Sequence, residues 1–333
     1  MKKIFLAVVA LAAMTACSND EFVSVDRAPI NFGEAFVDNA TRAADTTYGA
    51  VALTSFNVYG TVKGQGVTNP VNIFDGDNVT GTVGENEWNY VDEDTKAEYW
   101  VVGAAYNFAA VVNATVVEAT KTSAGMPTQL KAVVDDADEN NSNLKDMLYA
   151  AASVPSASAN QDAVDFTFEH LLSKVQFTVT SNAKGDYSHS VTGITVKNFS
   201  DATYTIESGA WSTFNTDPTA VAIPDKDVNF LNIEGVNAAS KENIGTTDEI
   251  NGKTNATQML LIPTDDEFEV SFTVKVLKNG TEISSDPQTI KVNKDLVKGN
   301  AYNFTIACEL NSPIKFSVAD DLNWANGGEL NVQ

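Results

Sequence analysis

The chain is built from short runs in which apolar and polar residues alternate with a period of two. Phe166-Thr167-Phe168 and Val175-Gln176-Phe177-Thr178-Val179 are the clearest pair, separated by His170-Leu171-Leu172-Ser173. Alternation of this kind, rich in β-branched and aromatic residues and punctuated by Gly, Asn and Asp, specifies strands with one buried face. The same signature predicts strands over Val51–Tyr59, Tyr99–Val102, Asn107–Val112, Val191–Val196, Thr203–Ile206, Gln258–Ile262, Phe268–Val276, Thr289–Val292, Ala301–Ala307 and Ile314–Val318. Lys278-Asn279-Gly280-Thr281 predicts a hairpin, because Asn-Gly tolerates the positive φ of a two-residue turn. Helical patterning is scarce; Asn141–Ala151, with Leu144, Met147 and Leu148 behind Asn-Ser capping residues, is the one short helix expected. Many short strands with few helices predict an all-β protein of two tandem β-sandwiches. The polar stretch Asn182-Ala183-Lys184-Gly185-Asp186 divides them, giving 46–185 and 186–333 after a leader (1–16) and a linker with a first strand (17–45).

The N-terminus sets an address. Lys2 and Lys3 precede an apolar run from Ile4 to Ala13, too short for the roughly 20 apolar residues of a membrane-spanning helix and suited to a signal peptide. Met14-Thr15-Ala16-Cys17 resembles the lipobox read by bacterial lipoprotein signal peptidase. Cys17 is therefore expected to be acylated and to anchor the mature chain in outer-membrane lipid at the cell surface. Ser18-Asn19-Asp20-Glu21 behind it is similar to a surface-export signal and equally readable as a solvated linker.

Formal charge is −23, and loss of Lys2 and Lys3 makes the mature chain more acidic still. Such a surface has no electrostatic hold on nucleic acid or anionic lipid. With Cys17 acylated, Cys308 has no disulfide partner; it lies in an alternating strand and reads as a small buried hydrophobe. His170 and His189 form no metal-ligand spacing with Cys or Asp, and no nucleophile motif or phosphate-binding loop occurs. No enzyme, metal or cofactor is expected. The acidic run Asp135-Asp136-Ala137-Asp138-Glu139-Asn140 lacks the glycine and spacing of a calcium loop and reads as solvated loop. Trp88, Tyr90, Tyr99 and Trp100 read as core, or else as a platform on which a monomeric surface lipoprotein would stack glycans.

The arginines are more informative. The chain has two, Arg27 and Arg42, both ahead of the first strand at Val51. Arg42 stands in the small, polar stretch Asn39-Ala40-Thr41-Arg42-Ala43-Ala44-Asp45, a good loop for an arginine-specific protease. Ala28–Val37, with Ile30, Phe32 and Phe36, can form a first strand between the two arginines. A cut after Arg42 would release that strand; one after Arg27 would leave it attached, so Arg27 is the weaker candidate.

Several local patterns together resemble the fimbrillin family, subunits of the type V pili of Bacteroides-like bacteria. They are the lipobox at Cys17, Ile30-Asn31-Phe32 followed by Thr41-Arg42-Ala43, Asp146-Met147-Leu148-Tyr149-Ala150, and Phe166-Thr167-Phe168-Glu169-His170-Leu171-Leu172-Ser173-Lys174-Val175. Leu260-Leu261-Ile262-Pro263, Lys298-Gly299-Asn300-Ala301-Tyr302 and Trp324 complete the set. The resemblance implies two transthyretin-like sandwiches, export as a lipoprotein, removal of the N-terminal strand by an arginine-specific protease, and filling of the groove by a strand of another fimbrial subunit. The C-terminal segment, with Ile314, Phe316, Val318, Leu322, Trp324, Leu330 and Val332, is the candidate donor. It reads equally as the ordinary last strand of the second sandwich.

Overall fold

The computed structural model describes residues 28–37, 53–81, 88–90, 97–118, 121–132, 145–199, 202–212, 220–222, 233–236, 242–244, 249–250, 253–254, 258–310 and 313–323. These are almost entirely strand, as the alternation predicts.

The first half is organised by a six-stranded sheet in the order β1 (Phe32–Val37), β8 (Val164–His170), β7 (Leu148–Val154), β4 (Ala105–Val112), β2 (Ser55–Lys63) and β3 (Val71–Thr80). One face carries an aromatic core of Phe56, Phe74, Tyr106, Phe108, Phe166 and Phe168. Trp88, Tyr90 and Trp100, from the segments between β3 and β4, cover it. The opposite face carries Tyr59, Ala109 and Val111. It is covered by a small sheet of β12 (Ala210–Ser212), β11 (Thr203–Thr205), β6 (Gln129–Ala132) and β5 (Ala114–Val116). Burial on both faces explains why β4 runs Phe108-Ala109-Ala110-Val111 without a polar interruption. It also explains Gly60: a Cβ there would lie 2.7 Å from the ring of Phe74 and 3.1 Å from that of Phe108.

The second half packs two sheets face to face. One has the order β13 (Ala220–Ala222), β10 (Tyr187–Lys197), β19 (Phe268–Lys278), β20 (Thr281–Val292), with β14 (Ile233–Val236) also on β10. The other has β15 (Glu242–Ile244), β9 (Ser173–Ser181), β21 (Asn300–Cys308), β22 (Lys315–Asn323), with β18 (Gln258–Leu261) also on β9. A short pair, β16 (Glu249–Ile250) and β17 (Lys253–Thr254), completes the set. The core between the sheets contains Val175, Phe177 and Val179 of β9, Phe268, Val270, Phe272 and Val274 of β19, and Tyr302, Phe304 and Ile306 of β21. β9 therefore serves the second core although it precedes the 185/186 division read from the polar stretch; the chain changes cores at Leu171-Leu172.

The Asn-Gly hairpin forms as expected. Asn279 (φ 52°) and Gly280 (φ 75°) make the two-residue link between β19 and β20. The expected helix at Asn141–Ala151 does not form over its described part. Leu148–Ala151 belongs to β7, with Leu148 and Ala150 facing the aromatic core and Tyr149 the opposite face. Pairing to β4 and β8 overrides the helical preference of Leu and Ala. Residues 141–144 lie outside the described residues.

Cys308 is buried in the second core, where burial pushes its thiol up to about 12.

Candidate functional site

Two features could carry function: the strand at each end of the described chain, and the point where the halves meet. The first begins at Ala28, ahead of β1. Ile30 N–H donates to Glu98 O (2.8 Å) and Trp100 N–H to Ala28 O (3.0 Å), while Val164 N–H donates to Asn31 O (2.8 Å). β1 then runs parallel to β8, with Phe32 beside Val164 and Ala35 beside Phe166. A register shift between Phe32 and Ala35 turns Ala35 inward, so that Ile30, Phe32 and Ala35 are all buried. Phe32 is the central ring of the aromatic core. Its centroid lies 5.6 Å from Phe74, 5.6 Å from Tyr90, 5.7 Å from Phe166, 6.0 Å from Phe56 and 6.1 Å from Phe108. Such ring contacts add about 0.5–1.5 kcal/mol each to the burial term. Phe36 pairs by its backbone with Thr167 of β8.

At the other end, β22 is the edge of its sheet and pairs antiparallel with β21. Ile314, Phe316 and Val318 are half-buried against the second core, with Phe316 5.6 Å from Phe304 and 6.4 Å from Phe272. The backbone of Leu322 pairs with Ala301. The structure thus places the described part of the candidate donor as the last strand of its own sheet. Cys17, Arg27, Arg42, Trp324, Leu330 and Val332 lie outside the described residues, as does the acidic run 135–140.

The halves meet where four of the recognised sequence patterns converge. β7 pairs Leu148 with His170 and Tyr149 with Glu169. β18 pairs Leu260 with Lys174 and Leu261 with Ser173, and β21 pairs Ala301 with Lys174 and Tyr302 with Val175. The intervening turn is tied on every side. Leu171 N–H donates to Met147 O (2.9 Å), Trp211 Nε1 to Leu171 O (2.9 Å), Gly299 N–H to Leu172 O (2.8 Å), and Ser173 Oγ to Val297 O (2.8 Å). His170 Nδ1 lies 2.9 Å from Asp146 Oδ1, with both side chains buried. Beside them Lys298 Nζ donates to Glu169 Oε2 (2.8 Å) and Tyr204 Oη (3.1 Å). Burial alone would lower the Lys298 ammonium, but the hydrogen bonds to Glu169 and Tyr204 and their charges outweigh it and hold it above the usual range. Burial pushes Tyr149 up to about 12, with Tyr204 and Glu169 adding to the effect. His170 is a ligand of this joint, as its place between strands suggests. Each pattern looks weak in sequence because its partners lie more than a hundred residues away.

Of the four aromatics weighed as a glycan platform, Trp88, Tyr90 and Trp100 are buried in the first core and Tyr99 is exposed. They form no exposed stacking surface, because the aromatic core has claimed three of them. Among the described residues no group of three His, Cys, Asp or Glu is placed to hold a metal ion. Nor, among them, is any helix long and apolar enough to cross a membrane.

A plugged β-sandwich joined to a second sandwich by a conserved-looking joint defines a class of β-rich module rather than an active site. The sequence matches the family model described as fimbrillin-like over residues 41–319, and the chain belongs to that family. Its fold is similar to a fimbrial protein from Bacteroides vulgatus, with a TM-score of 0.53 and 15% identity, covering 88% of this chain and 99% of that one. It is also similar to a candidate cell adhesion protein from Bacteroides ovatus, with a TM-score of 0.55 and 15% identity over 90% and 98% of the two chains. At that identity the likeness establishes a shared fold. No curated protein matches the sequence.

Proposed function

We propose that this chain is a structural and adhesive subunit of a cell-surface fimbria, exported as a lipoprotein through Cys17 and assembled by strand exchange after cleavage at Arg42. The observation that carries this reading is the state of the first strand. Ile30 and Phe32 are fully buried at the heart of a core whose remaining strands all come from residues beyond Arg42. Burying each such side chain is worth roughly 1.5–3 kcal/mol. A cut after Arg42 would turn that stabilisation into an open, apolar groove with unpaired backbone along β8. An extended strand from another subunit is the natural occupant, with backbone bonds giving affinity and pockets giving register. Until the cut, the plug protects the edge from premature pairing.

The test is limited digestion of the purified precursor by an arginine-specific protease, followed by gel filtration. A single cut after Arg42 that yields large oligomers, abolished in Arg42→Ala, is the expected result. A cut product that stays monomeric would overturn assembly by strand exchange and leave a surface lipoprotein of another role.

A further inference from the structure

The strand that fills the first core and the last strand of the chain share a sequence frame. Ala28-Pro29-Ile30-Asn31-Phe32-Gly33-Glu34-Ala35 aligns without a gap with Ser312-Pro313-Ile314-Lys315-Phe316-Ser317-Val318-Ala319. Pro, Ile, Phe and Ala coincide at four of these eight positions. Three of the four are the apolar side chains that the first strand sinks into the core: Ile30 at 1%, Phe32 at 2% and Ala35 at 4% exposure. Asn31 and Glu34, which face outward, are the positions free to differ. The match therefore follows the pockets and not merely the composition of a strand.

Burial adds a direction. Ile314 and Phe316 are only half-buried at the edge of their own sheet, where β22 pairs on one side. In the places of Ile30 and Phe32 they would leave water completely, so that transfer gains apolar burial. One buried position differs in size. A Cβ at Gly33 would stand 2.3 Å from Asp165 Oδ1 and 3.1 Å from Ala163 Cβ. Asp165 is exposed, so the clash is with the end of a side chain that can turn aside, and the hydroxyl of Ser317 can donate to its carboxylate.

We infer that Pro313–Ala319 of a second copy of this chain takes the place of Pro29–Ala35, parallel to β8 and in that register. Ile314 fills the pocket of Ile30, Phe316 the centre of the aromatic core, and Ala319 the place of Ala35. This rests on the strand-exchange reading above and adds to it the partner, which is the same chain, and the register. The chain carries both halves of a self-complementary joint and so polymerises with itself.

The register can be read with a disulfide. Ala163 and Ser317 are both exposed, and the 3.1 Å separation of Ala163 Cβ from an ideal Cβ at position 33 approaches the roughly 3.5–4.5 Å of a disulfide. The full-length double variant Ala163→Cys, Ser317→Cys is cut with the arginine-specific protease, oxidised mildly and run on a non-reducing gel beside gel filtration. The expected result is a ladder of covalent oligomers, lost in the uncut chain, in Arg42→Ala and in each single-cysteine variant. Oligomers by gel filtration without the ladder would overturn the register while strand exchange stands. A covalently closed monomer would overturn the second copy as donor, and a monomer without a cross-link would overturn both readings.

Discussion

The two edge strands at the ends of the described chain make opposite contributions to their cores. β1 is a plug. Phe32 lies at the centre of five aromatic neighbours, and the strand is bonded on both sides, to residues 98–100 and to β8. β22 is a cover. It pairs on one side, and Phe316 touches two rings of a core already closed by β9, β19 and β21. An edge strand can thus be indispensable or peripheral to the core it borders, and its place in the sheet does not say which. The difference lies in whether its side chains sit between the layers or against their rim.

Truncation should separate the two strands most sharply. Phe32→Ala leaves a cavity among five rings and is expected to cost about 3–5 kcal/mol, whereas Phe316→Ala, starting from a half-exposed ring, should cost about 1–2 kcal/mol. Urea midpoints of the uncut protein measure both; equal losses would break the distinction between plug and cover. Next in size is the joint between the halves. Asp146→Ala strips the buried partner from His170 and should cost about 1–3 kcal/mol. Asn198→Ala should cost a similar amount, since its side chain donates to Ile262 O (3.0 Å) and accepts from Ile262 N–H (2.9 Å) in a buried site. If the joint couples the cores, both variants should lower the unfolding midpoint of tryptophan fluorescence, whose buried reporters Trp88 and Trp100 lie in the first core.

The smallest expected effect is on pH. Burial lowers the His189 imidazole, which lies 2.7 Å from Ser181 Oγ in the second half. A folded value below the unfolded one means that stability is full above the ordinary imidazole range and is lost as pH falls through the depressed value. In the first half burial raises Glu98, with Asp77 adding to the effect. The folded state there holds its proton more tightly, so its cost is greatest near neutrality and is relieved as pH falls. Mild acid should therefore weaken the second core relative to the first. Amide exchange at pH 7 and pH 5 reads the two halves separately, and His189→Gln should flatten the response of the second half alone.

Local chemistry was sufficient for part of this architecture. The alternation of β8 and β9, the Asn-Gly turn, Cys308 as core, and Ile30 and Phe32 as apolar plugs are each legible within ten residues, because a period of two names the buried face. The same signal misses β3, whose Val71–Thr80 is interrupted by Asp75, Gly76 and Asp77, and it leaves Leu148–Ala151 to a helical reading. It also cannot tell an aromatic core from an aromatic platform, since Trp88, Tyr90 and Trp100 look the same in either.

By itself, then, the sequence determined an acidic, helix-poor β chain with an apolar strand set between two arginines ahead of everything else. Tertiary structure decided which face met which partner. It brought Asp146–Ala150, Phe166–Val175, Leu260–Ile262 and Lys298–Tyr302 to one joint, changed cores at Leu171-Leu172 rather than at the polar stretch, and made Phe32 a centre while leaving Phe316 at a rim. The physical reason is that alternation specifies burial, whereas the choice among equally apolar partners is made by shape and packing between residues far apart in the chain.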